Sequence, residues 1–209
     1  MTEFEERAAK ARRSLMRRDA VLKEVIRRVG HCTLRPEGNA FHILVRSIVS
    51  QLISTKAAKT ISSRIETAAG AAGLTPEGIA AVSETTLRSC GLSGNKVLAL
   101  HDLARRALNG ELPLAAFAEM SDDEVIAKLV EVRGIGRWTA EMYLIFALGR
   151  LDVLPVDDFG FRAGVKESFA LAEMPQRAAL LALGEKWRPY RSIATWYFWR
   201  SRGGVPQSE

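Results

Sequence analysis

Apolar residues recur at intervals of three and four along almost the whole chain of 209 residues, and alternating runs of β-branched residues are almost absent. A period near 3.6 residues places apolar side chains on one face of a helix, whereas a half-buried strand needs a period of two. Signals for helix ends accompany this pattern, including the capping sequence at Ser121–Glu124 and the terminating glycines Gly70 and Gly110. We therefore predict an all-α fold of about ten helices.

The length suits a single compact unit with two lobes over residues 1–209. Nothing in the pattern assigns the junction between the lobes. Residues 203–209 are expected to form a frayed tail. The N-terminal segment carries acidic residues and lacks the apolar stretch of a signal peptide, and no apolar run approaches the roughly 20 residues that span a bilayer. We therefore expect a cytoplasmic monomer without a membrane partner.

The charge balance modestly favours a polyanionic partner, because 30 Lys and Arg residues face 24 Asp and Glu residues. The basic run in the first helix is most simply a solvated face, and we assign it no site. Cys32 and Cys90 lie far apart and the three histidines are scattered. These spacings argue against an iron–sulfur cluster, a zinc site or a disulfide scaffold, and they predict two reduced, buried thiols.

The most informative segment is EVRGIGRWTAEMYL, in which two glycines flank an apolar residue between two helical patterns. Gly134 and Gly136 permit positive φ and close backbone approach, and Ile135 is expected to enter the core between the helices. The helix that begins after Gly136 presents unpaired amides, which suit a DNA phosphate. The same pattern fits an ordinary helical hairpin capped by glycines equally well.

Four segments together resemble a known family. LVEVRGIGRWTAEMYL resembles the helix-hairpin-helix motif of a DNA glycosylase superfamily, and LPVDDFGFRAG resembles the segment that holds its catalytic aspartate. FHILVRSIVSQLIS and WRPYRSIATWYFW look like the alkylpurine branch, the AlkA-type 3-methyladenine DNA glycosylase II enzymes. The resemblance covers roughly Val21 to Arg202, and we expect no counterpart of the β-rich N-terminal domain of the longer enzymes.

The resemblance implies an enzyme of base excision repair. Such an enzyme flips alkylated purines of the 3-methyladenine and 7-methylguanine type out of double-stranded DNA and hydrolyses the N-glycosidic bond. The resemblance assigns the catalytic role to the carboxylate of Asp158, which would stabilise positive charge on the deoxyribose as the bond breaks. Asp157 is then the structural candidate, as the cap of the following helix.

The base pocket implied by the resemblance is made of Trp138, Met142, Phe159 and Trp199. Electron-rich rings suit a cationic base. Met142 stands where the longer enzymes have tyrosine, which leaves the lesion range open. Trp196 and Phe198 are expected to be core residues, and each pocket aromatic has core packing as its alternative.

For DNA binding, the resemblance implies phosphate contacts at Gly134, Gly136, Arg137 and Thr139. It places Gln51 and Leu52 as the wedge that fills the gap in the base stack, although Leu52 also fits an ordinary core residue at a helix end. Two further groups are either phosphate contacts or plain helix starts, namely Ser54, Thr55 and Lys56, and Gly94 and Lys96.

The resemblance also allows a monovalent cation, Na⁺ or K⁺, bound by backbone carbonyls near Val130, Val132 and Gly134. No organic cofactor is expected. Some related glycosylases have a lysine after the hairpin that attacks the sugar and allows strand cleavage. Trp138 occupies that position here, and Lys166 matches no motif, so we expect base removal without strand cleavage.

Two other functions remain compatible with the sequence. One is a non-enzymatic helix-hairpin-helix DNA-binding module, for which neither the carboxylate after the hairpin nor the aromatic pocket would be needed. The other is a glycosylase for a deaminated or oxidised purine, which Met142 leaves open.

Overall fold

The computed structural model describes residues 2–205, and this part of the chain contains helices and no strands. Ten of its α-helices have eight or more residues, which confirms the predicted all-α fold of about ten helices. The α-helices are α1 (Glu3–Arg18), α2 (Ala20–Val29), α3 (Ala40–Ser50), α4 (Thr55–Ala69), α5 (Pro76–Ala81), α6 (Glu84–Ser89), α7 (Gly94–Leu108), α8 (Asp122–Val130), α9 (Arg137–Phe146), α10 (Phe159–Ser168), α11 (Arg177–Gly184) and α12 (Arg191–Ser201). Short 3₁₀ segments lie at Gly70–Ala72, Leu114–Glu119 and Glu185–Trp187.

Local side-chain chemistry sets where several helices begin. Ser121 and Glu124 cap α8 reciprocally, each binding the other's backbone amide, as their spacing predicts. The Ser54 hydroxyl accepts the Ala57 amide and caps α4. No helix among residues 2–205 is long and apolar enough to cross a membrane.

Contacts divide the chain into two compact units. One unit contains the described parts of Met1–Pro36 and Leu144–Glu209, and the other is Glu37–Tyr143. The first is therefore built from both ends of the chain, whereas the second is continuous in sequence. The boundary falls inside α9, so this helix contributes residues to each unit.

The first unit is organised around α12, against which α1, α2 and α10 pack. Every residue of Ser192–Trp199 is buried, which explains why this helix lacks a polar face. Phe161, Trp187 and Phe198 form an aromatic cluster, with ring centroids 5.2 to 6.2 Å apart. Trp196 and Phe198 are 2% and 0% exposed, which confirms their predicted place in the core.

Polar contacts between distant parts of the chain complete this unit. Buried Asp19 caps α2 through the Leu22 amide at 3.0 Å and accepts the Trp187 indole N–H at 2.9 Å. The start of the predicted tail is packed, because the Gly204 amide bonds to the Trp199 carbonyl and Val205 is buried. The prediction of a frayed tail is therefore wrong for residues 203–205, and residues 206–209 lie outside the described residues.

The second unit is organised around α7, which contacts α3, α5 and α6. Helix α3 contributes a run of buried apolar residues to this core and also packs against α4. Phe117 meets Tyr143 edge to face, with centroids 5.7 Å apart. Buried apolar side chains therefore line both α3 and the part of α9 that lies within this unit.

Both cysteines are free thiols. Cys90 is buried, which confirms its predicted burial, whereas Cys32 is only partly buried. Burial raises the pKa of the Cys32 thiol to about 12, so the reactive thiolate is disfavoured at neutral pH.

Gly164 sets how closely α10 approaches α12, because a Cβ built at this position would lie 2.4 Å from the carbonyl oxygen of Phe198. We expect Gly164→Ala to lower the free energy of unfolding by about 1–3 kcal/mol, since the two backbones must separate. Urea unfolding would measure this change. Gly204→Ala is the matched control, because its Cβ meets nothing within 4 Å. Equal stabilities of the two variants would contradict the proposed close packing.

Candidate active site and DNA-binding surface

Asp158 lies at the start of α10, where the chain leaves an extended link. Its amide bonds to the Pro155 carbonyl at 3.0 Å, and its own φ and ψ of −71° and 122° are those of an N-cap residue. The residue is only 5% exposed. The fold therefore removes this carboxylate from bulk water and places it at the N-terminus of a helix, where a negative charge is favourable.

A backbone amide and an indole bind the Asp158 carboxylate. Its Oδ1 accepts the Phe161 amide at 2.6 Å and the Trp199 indole N–H at 2.7 Å. The Trp199 ring is 2% exposed and stacks on Phe146, with centroids 5.8 Å apart and planes 17° apart. Because the donor ring is itself fixed by packing, the orientation of the carboxylate is set before any ligand binds.

Gly160 permits this arrangement. A Cβ at this position would lie 3.2 Å from Asp158 Oδ1 and 3.2 Å from Cδ1 of Trp199. A side chain there would crowd the hydrogen bond between carboxylate and indole. The glycine in the sequence Asp-Phe-Gly is therefore part of the site, a role that the sequence pattern did not indicate.

The prediction that Asp157 caps α10 is wrong. Asp158 is the cap, and Asp157 is an exposed residue whose carboxylate pairs with Arg177 at 2.6 Å. Either aspartate fits the cap by sequence alone, since capping depends on backbone φ and ψ. Asp158 combines the capping contact with the contact to Trp199.

The predicted pocket residues differ in exposure. Trp138 at the start of α9 is partly exposed, whereas Met142 one turn later is fully buried. Phe159, which follows Asp158 in sequence, is 70% exposed. Trp199 is buried, and its described contacts are the stack on Phe146 and the hydrogen bond to Asp158. The structure thus brings Trp199 to Asp158 and leaves the ring of Phe159 accessible.

In the hairpin between α8 and α9, one of the two glycines has a positive φ and a close neighbour. Gly134 has φ of 74°, and a Cβ there would lie 2.9 Å from the Cβ of Ala99. Gly136 has neither positive φ nor a neighbour within 4 Å of a built Cβ, so the conformational freedom that glycine permits is not used at this position. Ile135 is 4% exposed, which confirms its predicted place in the core.

Helix α9 opens with the hydrogen bond from the Ala140 amide to the Gly136 carbonyl at 3.2 Å. The amides of the preceding turn have no intrahelical acceptor, as at every helix N-terminus. The Arg137 side chain is 54% exposed and pairs with Glu141 at 3.0 Å. The backbone and the guanidinium are therefore the groups here that suit a phosphate.

The side chain of Thr139 does not suit a phosphate. Thr139 is 1% exposed, and its hydroxyl oxygen accepts the Gln51 side-chain amide at 3.0 Å. The phosphate contact at Thr139 therefore stays a prediction for its backbone amide. The same Gln51 amide also donates to the Gly134 carbonyl at 2.9 Å, so Gln51 is bound to the hairpin.

Leu52 is fully exposed and has φ of 58°, a conformation that side chains other than glycine rarely adopt. The alternative of Leu52 as a core residue at a helix end is therefore wrong. Ile53, the next residue, returns the chain through a hydrogen bond from its amide to the Ser50 carbonyl at 3.3 Å. The turn after α3 projects an apolar side chain into solvent beside the residue that contacts the hairpin.

Lys96 is not arranged as a phosphate contact. Its ammonium donates to the carbonyls of Val49 and Gln51 at 2.7 and 2.8 Å, at the C-terminal end of α3. The signal that could have revealed this contact is its position in the first turn of α7. A cation is unfavourable at a helix N-terminus, so a lysine there requires another partner.

Asp102 is a second residue that the sequence analysis missed. Its Oδ2 accepts the Arg133 amide at 2.9 Å, and its carboxylate also binds the side chains of Arg105 and Arg106. Burial alone would raise the pKa of Asp102, but the hydrogen bonds from Arg133, Arg105 and Arg106 outweigh it and lower the pKa. From α7, Asp102 therefore fixes Arg133 within the hairpin turn.

Comparison with known proteins identifies the family of this chain. A sequence model of a family described as HhH-GPD superfamily base excision DNA repair protein matches residues 45–189. The "Alkylbase DNA glycosidase-like protein mag2" of Schizosaccharomyces pombe is 36% identical over 91% of this chain and 92% of its own. The "DNA-3-methyladenine glycosylase 1" of the same organism is 36% identical over 76% of this chain and 70% of its own.

Solved structures show the same similarity. The S. pombe 3-methyladenine DNA glycosylase Mag1 in complex with abasic DNA superposes with a TM-score of 0.86 at 31% identity, over 96% of this chain and 100% of that chain. A DNA-3-methyladenine glycosidase from Bacillus halodurans gives a TM-score of 0.78 at 36% identity, over 91% and 88% of the two chains. Fold and site thus define a helix-hairpin-helix protein of DNA repair. This chain belongs to the HhH-GPD superfamily of base excision DNA repair proteins.

Trp199→Phe tests whether the indole N–H matters beyond packing, because phenylalanine can still stack on Phe146 but cannot donate to Asp158. We expect DNA base release to fall about tenfold, the amount that a hydrogen bond to a charged group typically contributes. Trp196→Phe is the matched control on the same helix, since it removes an equally buried indole that has no described bond to Asp158. Single-turnover rates would measure both, and equal losses would contradict the role of the indole.

Proposed function

We propose that this protein is a DNA glycosylase that flips alkylated purines, of the 3-methyladenine and 7-methylguanine type, out of double-stranded DNA and hydrolyses the N-glycosidic bond. The observation that carries the proposal is the buried carboxylate of Asp158, held by the Trp199 indole and the Phe161 amide. Its support is twofold: membership of the repair superfamily, and the names of relatives that cover most of the chain.

The chemistry requires little from the protein beyond a placed negative charge. As the bond to an alkylated purine breaks, positive charge develops on the deoxyribose, and the base, already cationic, leaves readily. A carboxylate whose orientation is set in advance stabilises that charge without reorganisation at the moment of reaction. Asp158 is 5% exposed, so little water screens its charge. A water molecule then completes hydrolysis.

The aromatic residues would recognise the base. A cationic purine stacks favourably on electron-rich rings, and Trp138, Phe159 and Trp199 are the candidates. The exposed ring of Phe159 suits direct stacking, whereas Trp199 is 2% exposed and has its N–H engaged by Asp158, which favours a role in orienting the carboxylate over direct contact with the base. Met142 is fully buried, which favours a role in supporting Trp138 on α9 over direct contact with the base.

The DNA backbone would bind at the hairpin. The glycines Gly134 and Gly136, the first-turn amides of α9 and the half-exposed guanidinium of Arg137 form a phosphate site without base specificity. Leu52, exposed and apolar, would enter the base stack in place of the flipped nucleotide, with Gln51 beside it. Double-stranded DNA with a damaged base is thus the proposed partner of a monomer in the cytoplasm.

A monovalent cation, Na⁺ or K⁺, is compatible with the hairpin carbonyls of Val130, Val132 and Gly134. The Val132 carbonyl accepts the Ile135 amide, and the Gly134 carbonyl accepts the Gln51 side chain. A carbonyl oxygen has two lone pairs, so both retain one for a cation. When bound, the ion would add positive charge beside the phosphate site. No organic cofactor is proposed.

Base release from methylated duplex DNA by the wild type and by Asp158→Asn tests the central proposal. Asparagine caps helices as well as aspartate does, so the variant should fold normally, yet it lacks the charge. We expect base release to fall about a hundredfold or more, as when one electrostatic stabiliser is removed from an active site. Chromatography of the released bases would measure it.

Asp157→Asn is the matched control, because it neutralises the neighbouring, exposed carboxylate. Full activity in Asp158→Asn would refute the catalytic assignment. A wild type that binds DNA and releases no base would instead establish the non-enzymatic binding module. Release of deaminated or oxidised purines in preference to methylated ones would show that the lesion class is different.

The strand should remain intact after base removal. Trp138 stands at the position where strand-cleaving relatives have lysine, and an indole cannot form an imine with the sugar. We therefore expect no nicks on a gel until the product is treated with base, and no covalent protein–DNA adduct after borohydride reduction. A trapped adduct would show that another amine reacts with the sugar.

A further inference from the structure

The ammonium of Lys96 bridges α7 to the end of α3. It donates to the Val49 carbonyl at 2.7 Å and to the Gln51 carbonyl at 2.8 Å. The last carbonyls of a helix have no intrahelical donor and carry the negative end of the helix dipole, so a cation is their favourable partner. Lys96 supplies that cation from a helix that is remote in sequence.

The location of Lys96 is otherwise unfavourable. The residue lies in the first turn of α7, where the helix dipole opposes a positive charge. Partial burial also lowers its pKa, because the ammonium loses water. Both costs indicate that the two carbonyl contacts are what keep a charged lysine at this position.

The turn that Lys96 contacts contains Leu52. Its φ of 58° is rarely adopted by a residue with a Cβ, and its side chain is fully exposed. No burial of Leu52 therefore offsets the unfavourable backbone. The conformation must be maintained by the residues on either side of it.

Gln51 is held from two directions. Lys96 binds its backbone carbonyl, and its side-chain amide donates to the Gly134 carbonyl and the Thr139 hydroxyl of the hairpin region. Gln51 immediately precedes Leu52, so the direction in which Leu52 projects depends on these contacts. Among these contacts of Gln51, the one from the Lys96 ammonium involves a charged group.

We propose that Lys96 is a positioning residue that holds the turn at Gln51 in place and keeps Leu52 extended for insertion into the base stack. The role of Leu52 as the wedge rests on the proposed function. Two of the three N–H donors of Lys96 are used by carbonyls, so its effect on DNA passes through the turn and not through a phosphate. Lys96 is therefore distinct from a basic residue that attracts the DNA backbone.

The first test needs no DNA. Hydrogen exchange of the amides at residues 51–54 is compared in wild type, Lys96→Met and Lys10→Met, the last being the same substitution on the exposed face of α1. Removing two charge-assisted hydrogen bonds should accelerate exchange in this turn about tenfold or more, without a comparable change elsewhere. Lys10→Met should match wild type. An unchanged turn in a folded Lys96→Met protein would overturn the proposal.

If Lys96→Met fails to fold, Lys96→Gln takes its place, because glutamine fills similar space and retains a neutral donor. Its expected effect is a smaller acceleration at the same amides. Lys96→Arg retains the charge and should restore slow exchange in part. Exchange as slow as wild type in Lys96→Gln would overturn the proposal, since a neutral donor would then suffice.

The second test uses duplex DNA containing 7-methylguanine. Single-turnover base release should fall about tenfold in both Lys96→Met and Leu52→Ala, and the double variant should be no slower than Leu52→Ala alone. Multiplied losses in the double variant would show that Lys96 acts elsewhere. Both single variants should be closer to wild type on single-stranded DNA, where no stack must be filled.

Salt dependence separates positioning from direct phosphate contact. The slope of log affinity against log salt concentration is negative, and removing a phosphate contact lowers the magnitude of this slope by about 0.9. We expect no such change in Lys96→Met and a decrease of this size in Arg137→Ala. A slope of smaller magnitude in Lys96→Met would overturn the proposal. If the wild type releases no base at all, the proposed function fails, while the exchange measurement still decides whether Lys96 holds the turn.

Discussion

The hydrogen bond from the Trp199 indole to Asp158 joins a helix with a long buried run, α12, to the residue proposed to carry the chemistry. Trp199 is fixed because α12 is buried along Ser192–Trp199 and because its ring stacks on Phe146. Asp158 is fixed because it also caps α10. The carboxylate is thus oriented by ordinary core packing, and no mobile loop has to close to orient it. Gly160 makes this hydrogen bond possible, since a side chain there would crowd both Asp158 and Trp199.

In the unit that is continuous in sequence, Glu37–Tyr143, polar contacts hold the exposed segments. Its exposed turn at Leu52 and its hairpin at Gly134 are held mostly through backbone carbonyls, which accept from Lys96 and from the Gln51 side chain. Asp102 fixes the other side of the hairpin by binding the Arg133 amide. Because these segments are exposed, polar contacts from α7 take the place of apolar packing there.

The sequence predicted what depends on local pattern. Helix number, the capping pair at the start of α8, and the burial of Ile135 all follow from residues within one or two turns. The errors concern partners that are distant in sequence or depend on backbone geometry. The Thr139 side chain is buried because Gln51 bonds to it, and Lys96 binds the end of α3; neither contact leaves a periodic signal. The choice between adjacent aspartates at the α10 cap depended on φ and ψ, which composition does not encode.

One unit is continuous in sequence and the other is built from both ends of the chain, and this difference affects how the chain folds. Glu37–Tyr143 contains its own partners and can condense from contacts that are near in sequence, which is the rapid route in folding kinetics. Helices α1 and α2 instead pack on α12, so on the ribosome they emerge long before the segment that covers their apolar faces. Closing that long loop has an entropic cost. The half of the protein that contains Asp158 is therefore the last to form, and a prematurely terminated chain would retain the hairpin without the carboxylate.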